Sequence, residues 1–104
     1  MKRAKRRYLA LQVDSDEAAT PKEFIDAVWS AVTKLYGECG ASLTGLSLID
    51  YDEEKKTAVI RTALATVDMA RTALASITYL AGKETAVHVV VVSGTVKSLY
   101  EKIR

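Results

Sequence analysis

The alternation of apolar and polar positions predicts four β-strands. In the first, Tyr8 to Val13, apolar Leu9, Leu11 and Val13 recur at every second position, as in a strand with one buried face. Thr57 to Thr62 is rich in β-branched residues and predicts another strand. The charged run before this strand cannot be buried, so that run forms the tip of a hairpin. The other two predicted strands are Leu43 to Tyr51, before that tip, and Thr85 to Val92.

Three helices are predicted by apolar residues at helical spacing and by residues that start or stop helices. Thr20-Pro21-Lys22-Glu23 combines a capping threonine, a proline in the first turn and a glutamate three residues after the cap. The helix that follows should end at Tyr36-Gly37, because glycine tolerates the left-handed conformation that terminates helices. A second helix is expected from about Ala65 to Leu80 with Gly82 as its stop, and a third, capped by Thr95, from Val96 to about Ile103.

The predicted order is strand, helix, strand, strand, helix, strand and a final helix. This is the order of the split βαβ unit, so we expect a single α+β domain over residues 1–104 with a ferredoxin-like βαββαβ sandwich. Right-handed crossovers place the two main helices on one face of a four-stranded antiparallel sheet, with the first and third strands in its centre. The C-terminal helix is additional to this arrangement.

The fourth predicted strand is apolar on both of its faces. Strict alternation directs Val87, Val89 and Val91 to one face, and Val90 and Val92 to the other with His88. An antiparallel sheet with one solvated face would alternate apolar and polar residues instead. We therefore expect the second face to be covered by the last helix, by a second subunit or by both. The candidate partner interface consists of Val90, Val92, Val96, Leu99, Tyr100 and Ile103.

Positive charge is concentrated at the N-terminus. The chain has a net charge of +2, but its first seven residues carry five cations, and the remainder has ten basic and thirteen acidic residues, a net of −3. We expect residues 1–7 to form a flexible basic arm that can neutralise phosphates in a salt-dependent way, the alternative being a merely solubilising end. The candidate RNA contacts are Lys2, Arg3, Lys5, Arg6, Arg7, Lys55, Lys56 and Arg61.

The compartment is indicated by the cysteine content and by the lack of long apolar runs. A single cysteine, Cys39, excludes an intramolecular disulfide and a multi-cysteine zinc site, and it fits a reducing cytosol. The longest apolar run, Val87 to Val92 with one histidine, is far too short to span a bilayer. The basic N-terminus leads directly into a strand, unlike a secretory signal. We expect a cytoplasmic protein with no membrane partner.

No set of residues predicts catalysis or cofactor binding by the chain itself. His88 lies within a valine-rich strand, and Cys39 lies in a turn between two glycines with no histidine near in sequence, so both are interpreted as structural. The acidic residues Asp50, Asp52, Glu53 and Glu54 invite a metal-site interpretation, but the two lysines that follow favour a solvated turn. We therefore predict no catalytic residue, no metal site and no bound cofactor.

The predicted fold raises the RNA-recognition motif as a comparison, since that motif stacks bases on aromatic residues of its two central strands. Here the third strand has no aromatic residue, and the first has only Tyr8 at its edge. If the chain binds RNA, it should do so through phosphates, shape and shared surfaces rather than through splayed bases.

One continuous run, YGECGASLTGLSLIDYDEEKKTAVIR from Tyr36 to Arg61, resembles the archaeal ribonuclease P protein component 2 family. The resemblance extends to the basic segment leading into Arg7-Tyr8-Leu9 and to the run from Lys22 to Trp29 in the first helix. It also includes Ala73 to Thr78 and the junction from Val92 to Lys97, so that it spans nearly the whole chain.

The resemblance implies a protein subunit of the ribonucleoprotein endonuclease that removes 5′ leaders from precursor tRNA. In that enzyme the RNA component, with Mg²⁺, performs the phosphodiester hydrolysis. The expected partners are the ribonuclease P RNA, the TIM-barrel-like component 3, the other protein subunits and, indirectly, precursor tRNA; a second copy of the chain is a further candidate. The sequence departs from the family at Thr62-Ala63-Leu64, where a cysteine followed by polar or basic residues is usual, and at Cys39.

Two other classes of function stand beside this one. A ferredoxin-like module for protein interaction or regulation is favoured by the acidic body and by the missing aromatic residues. A small-molecule enzyme acting on the sheet face is disfavoured, because no polar residues converge on a pocket.

Overall fold

A four-stranded antiparallel sheet lies at the centre of the molecule. The computed structural model describes residues 5–15, 19–80 and 82–102. The sheet order is β2-β3-β1-β6, with the first and third strands in the middle, which confirms the ferredoxin-like arrangement. In chain order the elements are β1 (Arg6–Asp14), α1 (Pro21–Leu43), β2 (Ser47–Asp52), β3 (Thr57–Ala63), a 3-10 turn (Leu64–Thr66), α2 (Val67–Ala75), β4 (Tyr79–Leu80), β5 (Lys83–Glu84), β6 (Ala86–Ser93) and α3 (Val96–Lys102).

The main core lies between α1, α2 and one face of the sheet. Phe24, Val28 and Val32 of α1 are fully buried there, as the helical stripe in the sequence predicts. They pack in one cluster with buried residues of β1 and β3 and with Ala73 and Leu74 of α2. The opposite face of the sheet is called the open face below.

The start of α1 matches its sequence prediction. The Glu23 amide donates to Thr20 Oγ1 (3.2 Å), and the Thr20 amide donates to Glu23 Oε1 (3.0 Å), so both halves of the capping box are present. The backbone hydrogen bond with Thr20, followed by the side-chain bond, lowers the pKa of the Glu23 carboxyl.

The end of α1 corrects the sequence prediction. Gly37 takes the expected left-handed φ of 76°, but the chain then continues as a kinked extension of the helix to Leu43 instead of entering a strand. Ala41 in this extension is buried in the main core, which anchors it. The following strand therefore begins at Ser47 and not at Leu43.

The region after α2 also differs from the prediction. The helix ends at Ala75, and Tyr79–Leu80, which were expected at its end, form β4 instead. This strand pairs with β5, and Gly82 between them has a φ of 78°. Ile77 and Leu80 are nevertheless buried in the main core. A short helix followed by β4 therefore buries the same apolar residues that a longer helix would bury. For this reason the apolar spacing alone could not distinguish the two structures.

A β-bulge in each outer strand shifts the alternation of its side chains. In β2, Leu48 pairs with Ile60 and Asp50 with Val59, so Ile49 is the extra residue. In β6, Val89 pairs with Leu11 and Val91 with Ala10, so Val90 is the extra residue. Val92 consequently packs on the main core and Val91 on the open face, the reverse of their predicted placement.

The C-terminal helix covers part of the open face, as the doubly apolar strand predicted. Leu99 is fully buried against Ala10 and Val59, with Tyr8, Val91 and Tyr100 packed around this cluster. Thr95 begins α3, because its Oγ1 accepts the Ser98 amide at 3.1 Å.

Gly40 is required by close packing inside the extension of α1. A Cβ atom at this position would lie 2.7 Å from Tyr36 Cβ, so we expect Gly40→Ala to lower the free energy of unfolding by about 1–3 kcal/mol. Helix propensity alone would give a stabilisation of up to about 1 kcal/mol, the opposite sign. Urea denaturation with Cys39→Ala, an exposed neighbour, as control decides between them. Gly40→Ala as stable as the control would contradict the kinked geometry.

Leu99 is expected to hold α3 on the sheet. Leu99→Ala should lower the free energy of unfolding by about 2–5 kcal/mol, because it empties a fully buried site. Lys97→Ala, on an exposed position of the same helix, should change it by less than about 0.5 kcal/mol. Equal urea midpoints for the two variants would show that α3 does not pack on the open face in solution.

Candidate RNA-facing and partner-facing surfaces

The basic residues at the N-terminus are only partly an arm. β1 already begins at Arg6, and Arg6 and Arg7 pair with Ala63 and Thr62 of β3. The Lys5 carbonyl accepts the Leu64 amide at 2.9 Å. The prediction of a flexible segment over residues 1–7 is therefore wrong for its last two residues, which are fixed in the sheet. Lys2 and Arg3 lie outside the described residues.

Arg6 and Arg61 form a basic end of the open face. Arg61 pairs with Tyr8 of β1, and Arg6 lies two positions before Tyr8, so the two arginines are diagonal neighbours on adjacent strands. Arg61 Nη2 donates to Ser47 Oγ of β2 at 3.3 Å. Its Nε is buried and has no hydrogen-bond partner among the described residues. The strand register thus fixes the two arginines at neighbouring positions of the same sheet.

Arg7 points away from this pair. Its guanidinium lies beside Gly94, at the junction of β6 and α3, where a Cβ atom would come within 3.4 Å of Arg7 Nη1. The same nitrogen donates to the Arg6 carbonyl at 3.0 Å. The N-terminal cations therefore divide between the open face and the β6–α3 junction.

Lys55 and Lys56 lie at the opposite end of the sheet, in the turn between β2 and β3. The Lys56 side chain donates to the Ser15 carbonyl, which directs it towards the loop after β1. Asp52 Oδ1 accepts the amides of Glu54 and Lys55 at 3.0 and 3.1 Å and so shapes the turn. The structure does not bring the two lysines together with Arg6 and Arg61.

Of the residues predicted for a partner interface, Val90 is 59% exposed. Val96 and Tyr100 are partly buried, whereas Leu99 and Val92 are taken up by the packing of α3 and of the main core. Leu99 in particular has no exposed surface to offer, because it fills the space between α3 and the sheet. Ile103 lies outside the described residues. The predicted surface is therefore reduced to Val90 and the outer side of α3.

Tyr100 connects α3 to β2. Its hydroxyl donates to Asp50 Oδ2 at 2.9 Å, while Asp50 Oδ1 accepts the Tyr51 amide at 2.9 Å. Burial, followed by the hydrogen bond to and the charge of Asp50, raises the pKa of the Tyr100 hydroxyl. Sequence reasoning missed this contact, since the bulge at Ile49 that turns Asp50 to the open face has no signal in the alternation pattern.

Tyr51, the next residue of β2, faces the main core because of the same bulge at Ile49. Its ring packs against Phe24 with ring centroids 5.4 Å apart, and its hydroxyl donates to the Ala19 carbonyl at 2.7 Å. Burial raises the pKa of this hydroxyl, with smaller contributions from the carboxylates of Glu53 and Glu23.

A groove of about 530 Å³ lies on the part of the open face that α3 leaves uncovered. Ala10, Gln12, Asp50, Asp52, Val90 and Tyr100 are among the residues that line it. Within residues 5–15, 19–80 and 82–102, no three His, Cys, Asp or Glu side chains are grouped as a metal site requires. Helices long and apolar enough to cross a membrane are likewise not found in this part of the chain.

The aromatic platform of an RNA-recognition motif is not available on the open face. Tyr8, the single aromatic candidate from the central strands, packs against the cluster around Leu99. Arg61 occupies the position opposite it on β3. The surface can offer positive charge at one end and a groove at the other, but not two stacked bases on the central strands.

Comparison with known proteins places this geometry in a family. Residues 7–104 match the model of the Rpp14/Pop5 family. The chain is 35% identical to ribonuclease P protein component 2 of Pyrococcus abyssi over 100 residues, which cover 96% of this chain and 85% of that protein. It is 34% identical to the protein of the same name from Methanosarcina mazei, with 96% and 84% covered.

A solved structure shows the same fold. A chain in the cryo-EM structure of yeast ribonuclease MRP superimposes with a TM-score of 0.74 at 16% sequence identity, covering 99% of this chain and 94% of that one. At this identity the likeness concerns the fold alone, whereas the sequence matches extend over nearly the full length. The chain therefore belongs to the Rpp14/Pop5 family, as the run from Tyr36 to Arg61 had indicated.

Proposed function

We infer that this chain is a protein subunit of ribonuclease P, the ribonucleoprotein endonuclease that removes 5′ leaders from precursor tRNA. The observation that carries this conclusion is the match over 96% of the chain to relatives named ribonuclease P protein component 2. In this role the chain is a non-catalytic part of the enzyme. The RNA component, with Mg²⁺, carries out the phosphodiester hydrolysis.

The part that we assign to the chain is electrostatic support of the catalytic RNA. Arg6 and Arg61 are fixed on adjacent strands, so their contact with phosphates costs less conformational entropy than contact by a free arm. Neutralised phosphates repel each other less, and the active RNA fold then forms at a lower Mg²⁺ concentration. Lys2, Arg3 and Lys5 are further candidates near the N-terminus, Arg7 is a candidate at the β6–α3 junction, and Lys55 and Lys56 are secondary candidates at the far end of the sheet.

We propose component 3, the TIM-barrel-like subunit, as the protein partner, with a second copy of the chain as a further candidate. Val90 and the outer side of α3 are the surface that supports this pairing, since Val90 is an exposed apolar residue beside that helix. Precursor tRNA is contacted indirectly, through the assembled enzyme. The place of action that we propose is the cytoplasm.

A second function is favoured by the acidic residues of the β2–β3 turn, Asp52, Glu53 and Glu54, which repel phosphate. In this alternative the chain is a ferredoxin-like interaction or regulatory module that does not bind RNA. Two results would support this alternative. Assembly with protein partners would be unchanged when Arg6 and Arg61 are replaced, and RNA binding by the chain would be too weak to measure.

Reconstitution tests the proposed function directly. Precursor tRNA cleavage is measured with the ribonuclease P RNA and the other protein subunits, with and without this chain, over a series of Mg²⁺ concentrations. We expect omission to shift the Mg²⁺ requirement to higher concentrations, because the repulsion between phosphates is then screened by the ion alone. A cleavage rate that is the same with and without the chain at low Mg²⁺ would exclude the function.

The basic end of the open face should determine how RNA binding depends on salt. Arg6→Ala/Arg61→Ala removes two proposed phosphate contacts and should reduce the slope of log affinity against log salt by about two, roughly one per contact. Lys34→Ala/Arg71→Ala removes two exposed cations from the helical side as a matched control and should leave the slope unchanged. Fluorescence anisotropy with labelled ribonuclease P RNA gives both slopes. Equal slopes for the two double variants would place the RNA contact elsewhere.

A further inference from the structure

The open face is divided by charge along the length of its strands. Arg6 and Arg61 lie at the end where β1 begins, whereas Asp50 and Asp52 lie at the end near the β2–β3 turn. The α3 helix crosses between the two ends, with Leu99 over Ala10 and Val59. The groove of about 530 Å³ belongs to the acidic side of this division, and we call it the acidic groove.

The floor of the acidic groove lies on the two central strands, beside the area that Leu99 covers. Exposed Gln12 of β1 and partly buried Thr57 of β3 line it from below, whereas Ala10 and Val59 lie at its edge, where Leu99 covers them. Val90 forms an apolar wall on the β6 side, where it is 59% exposed because it is the bulged residue of that strand. The groove therefore offers apolar surface to aliphatic groups of an occupant.

The opposite wall is acidic. Asp50 and Asp52 line it on β2 against one lysine, Lys55, and Glu53 and Glu54 follow directly in the turn. Both lining carboxylates are fixed by internal hydrogen bonds, Asp50 by Tyr100 and Asp52 by the turn amides. Each carboxylate retains oxygen lone pairs that can accept further bonds. A phosphate chain is repelled by such a wall, whereas a guanidinium or ammonium group is attracted.

We propose that the acidic groove binds a basic, extended segment of a protein partner. The aliphatic stem of an arginine or lysine would lie on Val90 and Thr57, and its charged end would reach Asp50 or Asp52. Tyr100 also lines the groove, and its aromatic ring adds a group to which a cation is attracted. The arrangement gives the open face two separate ligands, RNA at the basic end and protein at the acidic groove.

The test uses the full chain labelled with ¹⁵N and an acetylated, amidated peptide of sequence Gly-Arg-Ala-Arg-Gly as the probe. We expect the amides of Gln12, Thr57, Val59, Val90 and Tyr100 to shift on titration. The same peptide with glutamate in place of arginine should shift none of them. A short RNA hairpin, titrated separately, should shift the amides of Arg6, Tyr8 and Arg61 instead. RNA that shifts the groove amides, or arginine peptide that does not, would overturn the proposal.

Two variants connect the shifts to the groove. Asp50→Asn/Asp52→Asn removes both charges and keeps a side-chain oxygen for the Tyr51 amide and for the turn amides, while the new amide of residue 50 can donate to the Tyr100 hydroxyl. The fold should be retained, and peptide affinity should fall about five-fold. The matched control Asp26→Asn/Glu38→Gln, two exposed acids on α1, should leave the affinity unchanged. Val90→Lys places a cation in the groove and should also weaken binding. Equal affinities for all four proteins would show that the peptide binds by general charge attraction.

The peptide titration needs no ribonuclease P component. A negative result there, with reconstituted cleavage still dependent on the chain, removes the acidic groove and leaves the proposed function standing. If the arginine peptide binds but reconstituted cleavage does not depend on the chain, the proposed function is excluded and the groove remains a site of protein interaction.

Discussion

Burial of the two central strands on both of their faces is the constraint on which the structure depends. Leu9, Ala10 and Leu11 of β1 are consecutive and all buried, and Ala58, Val59 and Ile60 of β3 are buried in the same way. A sheet with such strands is stable only if both faces are covered. The helices α1 and α2 cover one face, and α3 covers the middle of the other with its seven residues. What α3 leaves uncovered on either side forms the candidate surfaces.

The sequence predicted the elements wherever periodicity and a start signal agreed. Thr20 to Glu23 located the start of α1, and the doubly apolar β6 indicated that its second face is covered. The alternation within β2 and β6 could not be predicted, because a bulge shifts every later side chain to the other face and leaves no mark in an apolar run. For that reason Val91 and Val92 were assigned to the wrong faces. The contact between Asp50 and Tyr100 was not foreseen at all.

The candidate RNA contacts were predictable as a set of residues but not as a place. Charge counting identified Arg6 and Arg61, which are far apart in sequence, and only the pairing of β1 with β3 makes them neighbours. The same counting grouped Lys55 and Lys56 with them, although these lysines belong to the other end of the sheet. Composition gives the sign and number of the charges, whereas strand register determines which charged side chains become neighbours on the sheet.

The bulges at Ile49 and Val90 have a consequence for how the molecule associates. They lie in the two outermost strands, whose outer backbone groups would otherwise offer a regular template for a further strand. An interrupted template disfavours lengthening of the sheet by copies of the chain or by an unfolded neighbour. The irregular edges thus disfavour edge-to-edge aggregation of this subunit and favour association through the faces of its sheet.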